Sequence, residues 1–243
     1  LEEVIKIRNL SFAYPDGKQV LQEINLIIYK GEQVAIIGPN GAGKTTLLLH
    51  LVGILKGRGD ISILGMQLNN GNIGKIRSKV GLVFQNPDDQ LFTSSVFEDV
   101  AFGPLNLGYP EDLVKERVKE SLKKVGMSGF EKRFPHHLSL GEKKRISIAT
   151  VLSMDIEILI LDEPTSNLDP KTRRELIQLL KNFKITKIIA THDLDLVLKI
   201  CEKVILLDSG KIVAAGNTQE ILSNKSLMEM HNLEVPLQLM KQN

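Results

Sequence analysis

The chain has one cysteine, Cys201, which excludes an internal disulfide and suits a reducing compartment. Cys201 stands between Ile200 and Glu202 with no His or second Cys beside it, so it reads as a buried structural thiol rather than a ligand. Long hydrophobic runs are also missing. The longest apolar stretches, such as Ile158-Leu159-Ile160-Leu161, are strand-sized, whereas a helix needs roughly 20 residues to span a bilayer. Neither charge sign dominates: the formal net charge is +2. Basic and acidic residues are interleaved, as from Glu111 to Lys124, so composition does not point to nucleic acid. Leu1 runs directly into Glu2-Glu3 and a strand pattern, and the expectation is that no signal peptide is present. Internal repeats and low-complexity tracts are lacking too. A length of 243 residues suits one large domain or a domain with a subdomain.

What is present begins with residues 38–46, Gly-Pro-Asn-Gly-Ala-Gly-Lys-Thr-Thr, which fill every fixed position of the G-x-x-x-x-G-K-[ST] phosphate loop. Gly38, Gly41 and Gly43 allow the backbone to wrap a polyphosphate with its N–H groups pointing inward. Lys44 supplies positive charge to the β- and γ-phosphates, and the Thr45 hydroxyl is placed to ligate Mg²⁺. Val34–Ile37 reads as a buried strand before the loop and Thr46–Leu55 as an apolar helix after it, so the helix aims its positive end at the phosphates. This context predicts a nucleoside triphosphate site.

Elsewhere, Val4–Tyr14 and Val20–Ile28 read as strands separated by the Asp16-Gly17 turn. Ile61–Gly65 is a further short strand, Asn69–Gly74 a polar loop, and Val80–Phe84 a strand ending at Gln85. From Asn86 to Asp155 the pattern is mainly helical, with Leu113, Val114, Val118, Leu122 and Val125 on one stripe. Strands return at 157–162, 187–190 and 203–207, and Ser209-Gly210 turns the last of them into a hairpin with 211–214. Asp169-Pro170 caps a helix running through Phe183. From about Gly216 the chain is a polar, weakly helical tail. Strands alternating with helices predict an α/β fold: a mostly parallel core sheet, an N-terminal antiparallel β region and a helical subdomain. The expected division is a nucleotide-binding core at 1–85 and 156–215, a helical subdomain at 86–155 and an accessory segment at 216–243.

The strand at 158–162 ends in two acids. Asp162 fits a carboxylate that holds the water shell of Mg²⁺, and Glu163, facing the other way, one that polarises the water attacking the γ-phosphate. They are followed by Pro164-Thr165-Ser166-Asn167-Leu168-Asp169 and later by Thr191-His192-Asp193.

With these residues in place, the chain resembles the ATP-binding subunits of ATP-binding-cassette (ABC) transporters along nearly its whole length, and so a P-loop NTPase of the ABC ATPase fold. The matching set is Walker A at 38–46, Gln85 of the Q-loop, the signature Leu138-Ser139-Leu140-Gly141-Glu142, Walker B at 158–163, the D-loop at 166–169 and His192 of the switch loop. The resemblance implies two such subunits packed head to tail, with ATP and Mg²⁺ between the phosphate loop of one and the signature of the other. It places Tyr14, Gly38, Asn40, Gly41, Gly43, Lys44, Thr45, Thr46 and Gln85 on the nucleotide, with Tyr14 stacked on the adenine. Ser139, Gly141, Glu142 and Asp169 lie across the dimer interface. Thr45, Gln85 and, through water, Asp162 serve the metal, and Glu163 and His192 are catalytic. Two positions depart from the usual Leu-Ser-Gly-Gly-Gln: Leu140 replaces the first Gly and Glu142 the Gln. The carboxylate at 142 brings negative charge toward a nucleotide unless Lys143 or Lys144 offsets it.

The segment 84–92 (Phe-Gln-Asn-Pro-Asp-Asp-Gln-Leu-Phe), with Tyr14–Gly17 and Val96–Pro104, is similar to the ATPases of energy-coupling-factor importers for vitamins and for cobalt or nickel ions. That likeness implies an integral membrane coupling subunit and a substrate-binding membrane subunit as partners, a peripheral place on the cytoplasmic face of the cell membrane, and no nucleic acid. Leu91, Phe92, Phe97 and Phe102 are the candidates for an apolar surface receiving a partner helix, although Phe97 and Phe102 suit the subdomain's own core equally well. The alternatives are the ATPase of another small-molecule transporter, a soluble cassette protein acting on nucleic acid or ribosomes, and a catalytically degraded partner in a heterodimer.

Overall fold

A computed structural model describes residues 1–240. The chain divides into two compact units, Leu1–Ile76 with Lys184–Asn243, and Arg77–Phe183. The first unit opens with two eleven-residue strands, β1 (Glu3–Ala13) and β2 (Gln19–Tyr29), paired antiparallel. Their apolar alternation is interrupted where Asn9 and Glu23 take left-handed backbone conformations (φ 51° and 50°), and the pairing register shifts across this region. β3 (Gln33–Ile37) follows, then α1 (Lys44–Leu51), β4 (Arg58–Ile63), β5 (Met66–Gln67) and α2 (Ile73–Arg77). β2, β1, β4 and β5 form an antiparallel sheet in that order. The helix after the phosphate loop is shorter than its apolar run, because Gly53 turns left-handed (φ 64°) and donates its N–H to the His50 carbonyl. The loop expected at 69–74 gives way to α2 at Ile73.

The second unit starts with β6 (Val80–Val83), followed by α3 (Val96–Asn106), α4 (Glu111–Lys124), α5 (Leu140–Leu152), β7 (Ile158–Asp162) and α6 (Pro170–Asn182). β6 and β7 pair in parallel, and every residue of β7 is buried. A strand with both faces covered needs such an uninterrupted apolar run. On α4, Val114, Val118 and Leu122 face inward, with Glu111 and Asp112 in the first turn and Lys123 and Lys124 in the last, matching the helix dipole at both ends. Asp169 caps α6 by accepting the N–H groups of Lys171 (3.0 Å) and Thr172 (3.1 Å), with Pro170 at the first helical position.

The chain then completes the first unit with β8 (Thr186–Ala190), α7 (Leu194–Ile200), β9 (Lys203–Asp208) and β10 (Lys211–Asn217). β3 lies between β8 and β9, parallel to both, and β10 closes onto β9 as the antiparallel hairpin expected at Ser209-Gly210. The tail forms three short helices, α8 (Thr218–Ser223), α9 (Lys225–Met230) and α10 (Leu237–Met240). His231, just after α9, sits 2.7 Å from Asp208 and ties this tail to the end of β9. Cys201 is buried and its thiol is pushed up to about 12, chiefly by desolvation. No described helix is long and apolar enough to cross a membrane.

Candidate ATP-hydrolysing site

In the first unit, β3 delivers the phosphate loop to the start of α1. Gly38 (φ 148°) and Gly43 (φ 104°) both lie in backbone regions that favour glycine. A Cβ at 38 would overlap the Leu207 carbonyl oxygen, and one at 43 would come within 2.8 Å of the Val20 carbonyl oxygen. A Cβ at Gly41 (φ 79°), by contrast, would meet nothing within 4 Å. Two glycines are therefore required by the walls behind the loop, and the third faces open space. The Lys44 ammonium is nearly buried and curls back to the carbonyl oxygens of Gly38 (2.8 Å) and Pro39 (3.0 Å). It is thus fixed above its own loop. Asn40 and the Thr45 side chain are exposed, whereas Thr46 is buried.

Tyr14 stands at the end of β1, half out of the protein, and its hydroxyl shares a 3.2 Å hydrogen bond with Thr46 Oγ1. Its ring meets Phe12 edge-on at 5.0 Å, and Phe12 in turn meets His50 of α1 at 4.7 Å. His50 is completely buried. Its Nδ1 lies 2.7 Å from the Thr46 carbonyl, Nε2 has no hydrogen-bond partner, and desolvation holds the imidazole below its usual pKa. Nothing in the sequence pattern singles out His50 as the back of this aromatic stack. His192 follows β8 and is exposed. Asp193 next to it caps α7 by accepting the Leu196 N–H at 3.0 Å.

In the second unit, Asp162 and Glu163 end β7 and are both buried. Glu163 adopts φ 43°, a left-handed conformation rare for a side-chain-bearing residue. Gln85 follows β6 and is exposed. Ser139 caps α5 in a reciprocal capping box with Glu142. The Ser139 N–H donates to Glu142 Oε2 at 2.8 Å, its hydroxyl donates to the same oxygen at 2.7 Å, and the Glu142 N–H returns to Ser139 Oγ at 3.4 Å. The Ser139 hydroxyl, more than the Arg133 charge, keeps the Glu142 carboxyl below its ordinary range.

The question left open for Glu142, whether Lys143 or Lys144 offsets its charge, is answered locally: neither lysine pairs with it. Successive helical residues point about 100° apart. Lys143 reaches Asp88 (2.7 Å), while Lys144 turns inward to the carbonyl oxygens of Gln85 (2.8 Å) and Glu163 (2.9 Å) and to Ser166 Oγ (3.2 Å). Burial lowers the Lys144 ammonium to about 8 despite the opposing pull of Glu163 and Asp162. Gln90 adds a third tie to α5, donating to the Ser147 carbonyl (2.9 Å) and Thr150 Oγ1 (2.7 Å). Gly141 packs against Thr172 of α6, where a Cβ would overlap Thr172 Cγ2.

Of the four residues expected on a receiving surface, Leu91 is buried and Phe97 partly so. Phe92 and Phe102 are exposed and stack edge-on at 5.1 Å, with exposed Leu105 one helical turn beyond Phe102. The buried Asp99 carboxylate accepts the N–H groups of Phe92 and Thr93, each at 3.0 Å, fixing the backbone that presents the first ring. Among the described residues no cluster of three or more His, Cys, Asp or Glu side chains forms a metal cage.

Residues 21–166 match the family model described as ABC transporter. The chain is 52% identical over 239 residues to the energy-coupling factor transporter ATP-binding protein EcfA of Methanothermobacter thermautotrophicus, covering 96% of this chain and 77% of that protein. EcfA of Methanocaldococcus jannaschii is 48% identical over 239 residues, covering 96% and 86%. Among solved structures, cbiO1 from Clostridium perfringens, described as part of the ABC transporter complex cbiONQ, superposes with a TM-score of 0.84 at 40% identity, covering 99% of this chain and 100% of that one. A dimeric ATP-binding cassette, MJ0796, bound to ADP and Pi, matches with a TM-score of 0.79 at 30% identity over 88% of this chain and 98% of that one. With the phosphate-loop, signature and Walker B segments all present, the chain belongs to the ABC transporter family of ATP-binding, ATP-hydrolysing subunits, in its energy-coupling-factor group.

Proposed function

We propose that this chain powers an energy-coupling-factor importer for a transition-metal ion such as cobalt or nickel, or for a vitamin. The observation that carries the reading is the end-to-end likeness to cbiO1, a component of cbiONQ. The working unit is then two cassette subunits, this chain twice or with a relative, held at the cytoplasmic membrane face by a coupling subunit that acts with a substrate-binding membrane subunit. The exposed Phe92–Phe102 pair offers an apolar seat for a helix of the coupling subunit.

In this reading the loop 38–46 wraps the phosphates, Lys44 exchanges its carbonyl contacts for phosphate oxygens, and Tyr14 stacks on the base. The phosphate-loop cradle, built where a Cβ at 38 or 43 would strike backbone, fits such a ligand. The resemblance assigns Thr45, Gln85 and, through water, Asp162 to the cation, and their side chains offer the oxygen donors that a hard cation takes. Magnesium held there supplies charge neutralisation on the phosphate oxygens. Glu163 orients the attacking water and takes its proton, and His192 contacts the γ-phosphate. Ser139 and Gly141 of one copy, with Glu142 and Asp169 nearby, face the nucleotide of the other.

The deciding experiment is mild-detergent purification of the tagged protein from its host's membranes, with mass spectrometry of what co-purifies. A polytopic coupling protein with a small membrane subunit is the expected result. Ribosomal or nucleic-acid partners without any membrane protein would overturn the transport assignment while leaving the ATPase intact.

A further inference from the structure

Lys144 is the largest polar side chain buried in the second unit, at 2% exposure, and no carboxylate is among its three hydrogen-bond partners. An ammonium in the interior is costly to desolvate, and a methionine of similar length would fill the same space more cheaply. The lysine's three donors are matched by three acceptors from two segments: the Gln85 carbonyl at 2.8 Å on one, and the Glu163 carbonyl at 2.9 Å and Ser166 Oγ at 3.2 Å on the other. The Ser166 hydroxyl in turn donates a hydrogen bond to the same Glu163 oxygen at 2.8 Å. With the Ser166 N–H at 3.2 Å, three donors converge on one peptide oxygen.

That peptide needs holding. Glu163 has φ 43° and precedes Pro164, whose ring favours an extended conformation in the residue before it. A left-handed glutamate at this position is locally unfavourable and persists only where the surroundings over-determine it. The Lys144 and Ser166 donors supply that constraint. The adjacent Lys143 pairs with Asp88 at the surface and cannot replace it.

We propose that Lys144 is a positioning residue for ATP hydrolysis, fixing the backbone of Glu163 and of Gln85 from the interior of the signature helix. The proposal rests on the roles assigned above to Glu163 and Gln85. Lys144 touches neither nucleotide nor water in this scheme. Its effect is on where the Glu163 carboxylate points and on keeping the Gln85 segment in step with it.

The test compares wild type, Lys144→Met and Ser166→Ala as full chains. Nucleotide-binding sites are titrated with a fluorescent ATP analogue, and turnover is expressed per site, so that misfolded protein drops out of the ratio. Lys144→Met is expected to lose about 10- to 100-fold in turnover per site, the scale of a misplaced catalytic group, with analogue Kd within twofold of wild type. Ser166→Ala retains the buried charge and should lose roughly threefold or more, again without a Kd change; it decides the matter if Lys144→Met does not fold. Wild-type turnover per site in whichever variants fold would overturn the proposal. Glu163→Gln serves as the control: if it hydrolyses ATP like wild type, the base assignment itself fails, whatever the Lys144 variants do.

Discussion

The Ser139 hydroxyl lies 2.7 Å from the Glu142 carboxylate, which also receives the Ser139 N–H at 2.8 Å. The unusual acid of the signature is thus committed to the cap of its own helix, where negative charge is favourable. The same bond holds the hydroxyl proton that a γ-phosphate in the facing subunit would need. Glu142→Gln keeps an oxygen for the N–H and removes the charge that, in the proposed dimer, would oppose the facing nucleotide. Its ATP KM is expected to fall by about three- to tenfold, the effect of losing one screened like charge. Stability should fall by roughly 0.5–1 kcal/mol from the weaker cap. Steady-state kinetics and chemical denaturation measure both; an unchanged or higher KM would mean the carboxylate does not oppose the nucleotide.

Tyr14 is bound to the phosphate-loop helix through Thr46 and braced by Phe12, so its ring and its hydroxyl make separable contributions. Tyr14→Ala should weaken ATP about tenfold while leaving inorganic triphosphate nearly unaffected, since stacking on a base is worth about 1–3 kcal/mol. Tyr14→Phe should bind ATP within threefold of wild type, because the hydroxyl's bond is partly solvent-exposed and worth about 1 kcal/mol or less. Calorimetric titration with the two ligands decides it, and equal losses for both would reject the stacking role.

Gly141 has an intramolecular reason to be glycine, the Thr172 side chain. Gly141→Ala should cost about 1–3 kcal/mol through overpacking between α5 and α6. Thr172→Ala makes room, so the double variant should recover most of that stability. If the Gly141 backbone must also approach a nucleotide in the facing subunit, the double variant will be stable yet slow in ATP hydrolysis. Full recovery of both properties would assign the glycine to helix packing alone.

Much of this was legible because local chemistry and fold agree. A buried apolar strand, a glycine-rich loop and a helix must follow one another at 34–51 if the loop is to wrap an anion, and Asp169-Pro170 announces the start of α6 without help from the rest of the chain. What escaped depends on direction rather than identity. Lys143 and Lys144 are indistinguishable as letters, yet one helical step sends the first to Asp88 and the second into the interior. The left-handed Glu163 opposes its local preference before proline and is sustained by groups 3 and 19 residues away. The interruptions of β1 at Asn9 and of β2 at Glu23 similarly follow from pairing, which alternation of residue types does not encode.

The buried Cys201 has a practical consequence. A thiol pushed up to about 12 and shut away from solvent is nearly silent toward maleimides and thiosulfonates at neutral pH. Cysteines introduced at exposed positions become the addressable thiols in an otherwise wild-type chain. One placed on α5 in each subunit of the proposed dimer would carry a spin label or fluorophore that reports on subunit separation with and without ATP, without first removing a native residue.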